Sequence, residues 1–186
     1  MGINPIRFTI KKPLLALILL GAVIGGTAFM GWLVTDTVFE KTGDADFCGS
    51  CHTMQPMVAA FFQDAHGGNN VNGTMSKCVD CHLPHETRVG YVLAKTQYGL
   101  HDVWAQTFYD LEKIDWQEKR LHRESFVYDS GCLTCHKNIE KASEKTAKTF
   151  VAHKPYFMGE IDKKCVTCHE HVGHKNLHFS QSEKPQ

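Results

Sequence analysis

The chain has 186 residues, enough for one modest domain with an appended segment, and its 20 basic and 20 acidic residues give a formal net charge of zero. The charges are unevenly spread, because three basic residues and no acidic ones precede Thr35, and the remainder carries 17 basic against 20 acidic residues. This balance excludes a nucleic-acid-binding function, which requires a basic face.

An uncharged run near the N-terminus predicts a transmembrane helix over residues 14–34. Leu14 to Val34 is 21 residues long, about 31 Å as a helix at about 1.5 Å per residue, which matches a hydrocarbon core of about 30 Å. A cleaved signal peptide is the alternative, but its apolar core usually spans about 7–15 residues. The run also lacks a clean small-x-small cleavage site before a polar start, so we expect an uncleaved anchor in the lipid bilayer.

The charges that flank this span predict the topology of the chain. Arg7, Lys11 and Lys12 precede it, and the positive-inside rule keeps residues 1–13 in the cytoplasm. Residues 35–186 are then an exported domain. We expect a single-pass protein of the inner membrane with this domain in the periplasm.

Two glycines within the span, Gly21 and Gly25, form a small-xxx-small pair. Such a pair lets two helices approach closely and would support a homo-oligomer, although glycines of this kind also pack against other parts of a protein. The sequence leaves the oligomeric state open.

The eight cysteines form four Cys-x-x-Cys-His motifs with none left over. In this motif two thiols bond the vinyl groups of a haem, and the adjacent histidine is placed to ligate its iron. The predicted attachment residues are Cys48, Cys51, Cys78, Cys81, Cys132, Cys135, Cys165 and Cys168, followed by His52, His82, His136 and His169. We therefore expect four covalently bound haem c groups in an electron-transfer protein.

Disulfides and structural zinc are the alternative uses of these cysteines. An exported, cysteine-rich domain ordinarily suggests disulfides, and paired Cys-x-x-Cys units would fit two zinc ribbons. Neither chemistry gives a reason for a histidine after every second cysteine. The motif pattern therefore favours haem over both.

The exported domain is predicted to have a mostly α, loop-rich multihaem cytochrome c fold. It holds few apolar runs, so the haems themselves would supply much of the apolar surface for folding. The clearest predicted helix runs from Arg88 to Phe126, a stretch without proline. No segment shows a convincing strand pattern.

Two halves of this domain resemble each other and predict a duplicated dihaem unit. His66 precedes Cys78, and His153 precedes Cys165, by the same twelve residues, and a further histidine follows each motif. The predicted sixth ligands of the irons are His66, His85, His153 and His174. Paired imidazoles saturate iron and suit electron transfer. The other histidines are predicted to be surface or packing residues, namely His122, His171 and His178.

The first motif differs from the other three because a methionine, Met54, stands two places after its histidine. Methionine is a known haem ligand, although Met54 and the nearby Met57 would also serve as core packing. If Met54 ligates the first iron, three haems share four spare histidines. Either one histidine is then superfluous or another haem needs no outside ligand, and the residues alone leave this open.

With these motifs in place, the chain resembles the NapC/NirT family of membrane-anchored quinol dehydrogenases. The likeness covers Leu14 to His174 and includes the anchor helix, the four motifs, Cys-His-x-Pro-His at Cys81–His85 and Cys-His-x4-His at Cys168–His174. Within the family the chain is most similar to the NrfH and CymA branch, and the Cys-x-x-Cys-His-x-Met form of the first motif points to NrfH. The resemblance implies oxidation of menaquinol or ubiquinol and electron transfer to a periplasmic reductase, such as cytochrome c nitrite reductase or nitrate reductase.

The resemblance also implies roles for two residues after the second motif. In that branch the methionine, not the motif histidine, ligates haem 1; an aspartate lies over the open side of the haem, and a lysine seven residues earlier helps to bind quinol. Lys95 and Asp102 have this spacing, and two helical turns would project both from one face. His101 is an alternative ligand that would close the open site. Tyr91 and Tyr98 would line the pocket or serve as packing.

The short connection between anchor and first motif supports a quinol substrate. Thirteen residues separate Val34 from Cys48, about 20 Å as a helix, so haem 1 is expected near the membrane surface, where the quinol pool is the available donor. Two other functions are considered: a terminal reductase acting on nitrite or hydroxylamine at the open haem, and a passive anchor and electron wire for a soluble partner.

Overall fold

The computed structural model describes residues 6–111 and 114–177, with side chains from residue 12 onward. It divides into two units, Met1–Thr42 and Gly43–Gln186. His178, which was predicted to be a surface or packing residue, lies outside the described residues.

The first unit is one long helix, α1 (Ile6–Lys41). From Lys12 to Lys41 it is long and apolar enough to cross a membrane, with a mean hydropathy of 2.2 in its most apolar window. Hydroxyls within it bond to the helix backbone, as Thr27 Oγ1 does to the Val23 carbonyl at 3.0 Å, so they need no water. The predicted helix is confirmed, and it continues beyond Val34 to Lys41.

The second unit consists of short helices joined by loops. They are α2 (Ala45–Cys48), α3 (Gln55–Phe62), α4 (Cys78–His82), α5 (Arg88–Phe108), α6 (Trp116–Leu121), α7 (Asp129–Cys135), α8 (Ile139–Ser143), α9 (Ala147–Phe157) and α10 (Cys165–Cys168). Within residues 43–111 and 114–177 no strand forms, and Gly67 and Met75 make an isolated antiparallel bridge. The predicted mostly α, loop-rich fold is therefore confirmed.

The long helix predicted over residues 88–126 is shorter in the structure. It begins at Arg88 as predicted, where the Thr87 hydroxyl accepts a hydrogen bond from Gly90 N, but it ends at Phe108. A new helix, α6, begins after Asp115, whose side chain accepts hydrogen bonds from Gln117 N and Glu118 N. The prediction was wrong because it weighed prolines and glycines and overlooked an aspartate that caps a helix start.

The second and fourth motifs begin with the same local structure. The backbone N–H of Lys77 donates to Asp80 Oδ2 at 2.7 Å, and that of Lys164 donates to Thr167 Oγ1 at 3.0 Å. In both cases the side chain three residues into the helix satisfies the amide that precedes it. This shared capping agrees with the internal repeat found in the sequence.

Few apolar side chains are buried in the described part of the second unit. They are Ala45, Ala60, Phe61, Leu83, Val166 and Leu177. Close backbone contact contributes to the packing: a Cβ on Gly131 would lie 1.9 Å from the Asp80 carbonyl oxygen, so only glycine lets α7 approach α4 this closely.

Candidate functional site

Three of the four motif histidines are paired with a second histidine. Ring centroids lie 6.3 Å apart in His82–His174, 6.2 Å in His66–His136 and 6.1 Å in His153–His169. Two imidazoles that bind one metal ion from opposite sides, with metal–nitrogen bonds of about 2 Å, place their centroids about 6 Å apart. The three pairs therefore fit the axial ligands of six-coordinate haem iron.

Hydrogen bonds orient four of these rings through Nδ1. The acceptors are the Phe126 carbonyl for His82 at 2.8 Å, the Met57 carbonyl for His174 at 3.0 Å, the Thr149 carbonyl for His153 at 2.8 Å, and Asp64 Oδ1 for His66 at 3.2 Å. A ring held through Nδ1 keeps Nε2 available for a metal.

The hydrogen-bond acceptor of His66 Nδ1 differs from the other three acceptors because it is a carboxylate, that of Asp64. Asp64 is 6% exposed, and its Oδ1 also accepts the backbone N–H of His66 at 2.9 Å. A carboxylate on the second nitrogen raises the basicity of a ligating imidazole more than a neutral carbonyl does. Sequence reasoning missed Asp64, although its place two residues before a predicted ligand was a usable signal.

Burial favours the neutral form of both imidazoles in the His82–His174 pair. Burial lowers the pKa of His82, and burial together with the nearby His82 lowers the pKa of His174 to about 4. Neutral imidazole is the form that ligates a metal. Both pKa shifts therefore favour the form of this pair that binds a metal.

His85, the fourth predicted distal ligand, has a different environment. Its Nε2 lies 3.1 Å from the Val79 carbonyl, its ring contacts Tyr91 at 5.3 Å, and its backbone N–H donates to Ser130 Oγ at 2.9 Å. Its position thus resembles that of a packing residue that joins α4, α5 and α7.

The structure brings consecutive motifs together in chain order. A hydrogen bond with Cys78 lowers the pKa of the Cys48 thiol, and one with Cys165 lowers that of Cys132 to about 7. Burial and the neighbouring Cys132 raise the pKa of Cys81 to about 12. Motif one therefore lies beside motif two, motif two beside motif three, and motif three beside motif four.

All eight cysteines are described and none forms a disulfide. Atoms of Asp129, Cys132 and Cys165 that are able to ligate a metal lie within 4.8 Å of one another. Because the two cysteines belong to different haem motifs, this cluster reflects how closely the third and fourth motifs pack.

Helix α5 lies along the first motif and carries both predicted catalytic residues. Near its start, Lys95 Nζ would lie 3.5 Å from a Cβ built on Gly43, and further along Gln106 Nε2 donates to Thr53 Oγ1 at 2.8 Å. Asp102 is on the same helix face between these two contacts. Both charges reach the motif, since Asp102 raises and Lys95 lowers the pKa of Cys48, although the bond to Cys78 affects it most.

Lys95 is half-buried, and this burial is the largest influence on its pKa, which lies below the usual lysine value. Asp102 is largely exposed, and its Oδ1 lies 3.6 Å from His101 Nδ1. The site thus joins a partly desolvated cation to an accessible carboxylate. Such a pair is able to hold a hydroxyl oxygen and accept its proton.

Met54 stands two places after the histidine of the first motif and lies at the end of a tight 3-10 turn, His52–Met54. His52 is exposed and faces an open cleft of about 250 Å³, lined also by Thr53, Gln106, Tyr109, Asp110 and Leu111. Met57 contributes the carbonyl that orients His174. Gln106 and Thr53 were not predicted from the sequence, because their contact joins residues 53 positions apart.

Two other residues named from the sequence, Tyr98 and His171, form hydrogen bonds with side chains of the haem domain. The Tyr98 hydroxyl bonds to that of Tyr128, and His171 Nδ1 lies 2.5 Å from Arg120 Nη2 at the surface. His122 is exposed at the end of α6. Cys51, Cys135 and Cys168 are exposed, whereas the other motif cysteines are half-buried.

The sequence model of the NapC/NirT cytochrome c family, N-terminal region, matches residues 8–179. The chain is 29% identical over 170 residues to the cytochrome c-type protein NapC of Escherichia coli (strain K12), covering 87% of this chain and 82% of NapC. It is 27% identical to TorC of the same organism, covering 97% of this chain but 47% of TorC.

One solved structure shares the fold. It is a chain from the crystal structure of the cytochrome c nitrite reductase NrfHA complex bound to the HQNO inhibitor, with a TM-score of 0.52 and 22% identity, covering 91% of this chain and 93% of the matched chain. At 22% identity, this likeness shows a shared fold and nothing more.

Proposed function

The chain belongs to the NapC/NirT cytochrome c family, and on this premise we propose that it oxidises quinol at the inner membrane and passes the electrons through four haems to a periplasmic reductase. Membership makes it an electron-transfer cytochrome with covalently bound haem c and an N-terminal membrane anchor. The predicted family is thus confirmed, and the fold shared with the NrfHA chain is consistent with the predicted branch.

The residues present fit four haem groups. In the proposed assignment, His82 and His174 would hold the second iron, His136 and His66 the third, and His169 and His153 the fourth, while Met54 would hold the first. Each bound haem carries one electron at a time. His85 is left without an iron in this assignment.

The observation that carries the proposal is the difference between the first motif and the others. Three motif histidines face a second imidazole, whereas the first motif faces α5, with Lys95 and Asp102 on the nearer side. An iron without a second imidazole suits a site where a substrate approaches closely.

Lys95 and Asp102 have different roles in quinol oxidation. One quinol releases two electrons and two protons, so an acceptor must lie within hydrogen-bond reach of its hydroxyl. Asp102 accepts the two protons in turn and, being exposed, releases each of them to water. Lys95 donates a hydrogen bond to the quinol oxygen as negative charge develops there, and its partial burial strengthens that interaction.

The remaining motifs lead the electrons away from the quinol site. Because consecutive motifs are neighbours, haems held by them would lie close together, and the haem of the fourth motif would be the last of the series. The matched NrfHA chain comes from a nitrite reductase complex, which supports a periplasmic reductase as the partner that takes these electrons.

The test follows haem reduction by quinol in purified protein reconstituted in liposomes. Asp102→Asn removes the proton acceptor and Lys95→Leu removes the cation, and each should slow reduction by menaquinol or ubiquinol about a hundredfold or more. Reduction by dithionite should be unchanged. Gln97→Ala is the matched control at an exposed position on the same helix and should keep the normal rate, and HQNO should inhibit the unmodified protein.

The same assay distinguishes the rival functions. A terminal reductase would consume nitrite or hydroxylamine without any partner, and a passive wire would not be reduced by quinol at all. Normal quinol oxidation in both variants, with all four haems attached, would remove Lys95 and Asp102 from the mechanism.

A further inference from the structure

Helix α5 presents its apolar side chains outward, the reverse of an ordinary surface helix. Five large side chains are 57–70% exposed, and they follow one another at spacings of four, seven, three and one residues, which places them on one helix face. We call them the outer stripe: Val89, Leu93, Leu100, Val103 and Trp104.

The opposite face of α5 is fixed to the haem domain. Tyr91 contacts the His85 ring, Tyr98 bonds to Tyr128, and Gln106 donates to Thr53. Lys95 and Asp102 are on this inner side as well, facing the first motif. The helix therefore cannot turn its outer stripe inward without losing these contacts.

Two threonines on the same helix face as the outer stripe have hydroxyl groups that suit an apolar environment. Thr96 Oγ1 donates to the Val92 carbonyl and Thr107 Oγ1 to the Val103 carbonyl, both at 2.8 Å. Hydroxyls satisfied by their own helix backbone need no water, as also occurs in α1 at Thr27.

The chain itself indicates which apolar phase covers the stripe. Thr42 alone separates the end of α1 from Gly43, where the haem domain begins. The Gly43 carbonyl accepts a hydrogen bond from Val79 N at 3.3 Å, and Gly43 lies against Lys95 of α5. Helix α5 is thus fastened beside the residue at which the chain leaves its anchor.

We propose that α5 is an interfacial helix whose outer stripe lies in the headgroup and upper acyl region of the bilayer that holds α1. Its composition suits this place, because aliphatic side chains enter the acyl boundary while an indole such as that of Trp104 settles at headgroup level. The proposal uses the face opposite to Lys95 and Asp102 and does not depend on the proposed quinol chemistry.

The test is photolabelling of the full-length haem-loaded protein in phosphatidylcholine–phosphatidylglycerol liposomes that contain a diazirine lipid. Adducts are located by mass spectrometry of proteolytic peptides. Residues 88–108 should be labelled about tenfold more than the α9 peptide that contains Val151, which is equally exposed at 70%. Labelling of α1 serves as the positive control.

A substituted stripe sharpens the result. Leu93→Gln with Leu100→Gln should lower labelling of α5 several-fold while the haem spectrum stays unchanged, and Val151→Gln should have no effect on it. Labelling of α5 no greater than that of α9 would overturn the proposal. So would protection of α5 from lipid together with a crosslink between two copies of the stripe, which would make this face a dimer interface.

Discussion

The first haem motif and the second share one five-residue pattern, yet their surroundings differ in kind. Around the second, His82 lies opposite His174, and backbone carbonyls orient both rings. Around the first, the neighbours are Met54 and helix α5 with a lysine and an aspartate.

This difference separates attachment from ligation. The motif determines where a haem is bonded to the chain, whereas the residues that arrive from elsewhere determine whether its iron is saturated. Two imidazoles leave an iron with no open position and suit electron transfer, and a site with an accessible carboxylate suits exchange of protons with a substrate. In the proposed function, one chain therefore combines a substrate site with a series of electron-transfer haems.

Among changes outside the proposed quinol site, the largest expected effect comes from breaking one imidazole pair. His174→Ala should convert one low-spin iron to high-spin and slow electron delivery to an external acceptor about 10–100-fold. Electron paramagnetic resonance of the oxidised protein measures the spin state. His85→Ala is the matched control and should keep every low-spin signal, because His85 Nε2 faces the Val79 carbonyl. Loss of a low-spin signal in His85→Ala instead would return it to the ligand set.

The packing that holds the second motif to the third offers a smaller effect. Gly131→Ala places a Cβ 1.9 Å from the Asp80 oxygen, so α4 and α7 must move apart, and the free energy of unfolding should fall by about 1–3 kcal/mol or more. Gly99→Ala, where nothing lies within 4 Å, should raise it by about 0.5–1 kcal/mol. Guanidinium unfolding measures both, and equal stability of the two variants would contradict this contact.

The smallest effect distinguishes one imidazole pair from the others. Asp64→Asn removes a buried negative charge from His66 while keeping a hydrogen-bond acceptor, so one haem should become easier to reduce, by about 30–60 mV at about 59 mV per tenfold change. A spectroscopic redox titration measures it. Asp162→Asn, at an exposed position, is the control. Unchanged potentials in Asp64→Asn would show that the carboxylate only fixes the loop.

The sequence predicted residues whose roles depend on local pattern. The anchor, the four motifs and the helical fold were evident because spacing and composition determine them. The repeat identified His66, His153 and His174 as notable histidines, but not their partners. His66 pairs with His136 of the third motif, whereas its equivalent in the repeat, His153, pairs with His169 of the fourth, so equivalent positions in the repeat have non-equivalent partners.

Features that depend on long-range contact were not predictable in this way. The end of α5 at Phe108 depends on the cap at Asp115, and the contact of Gln106 with Thr53 joins distant parts of the chain. The outer stripe was hidden as well, since an amphipathic pattern does not reveal which face of a helix packs against the protein.

The central claim is that one haem site differs from the other three, which are alike. Electron paramagnetic resonance of the oxidised, full-length protein tests this claim most directly. The intact mass of the same protein checks its haem content. The account predicts four haem additions, with signals of three low-spin irons ligated by paired imidazoles and one high-spin iron at the first motif. Four low-spin bis-imidazole irons, or fewer than four haems, would contradict it.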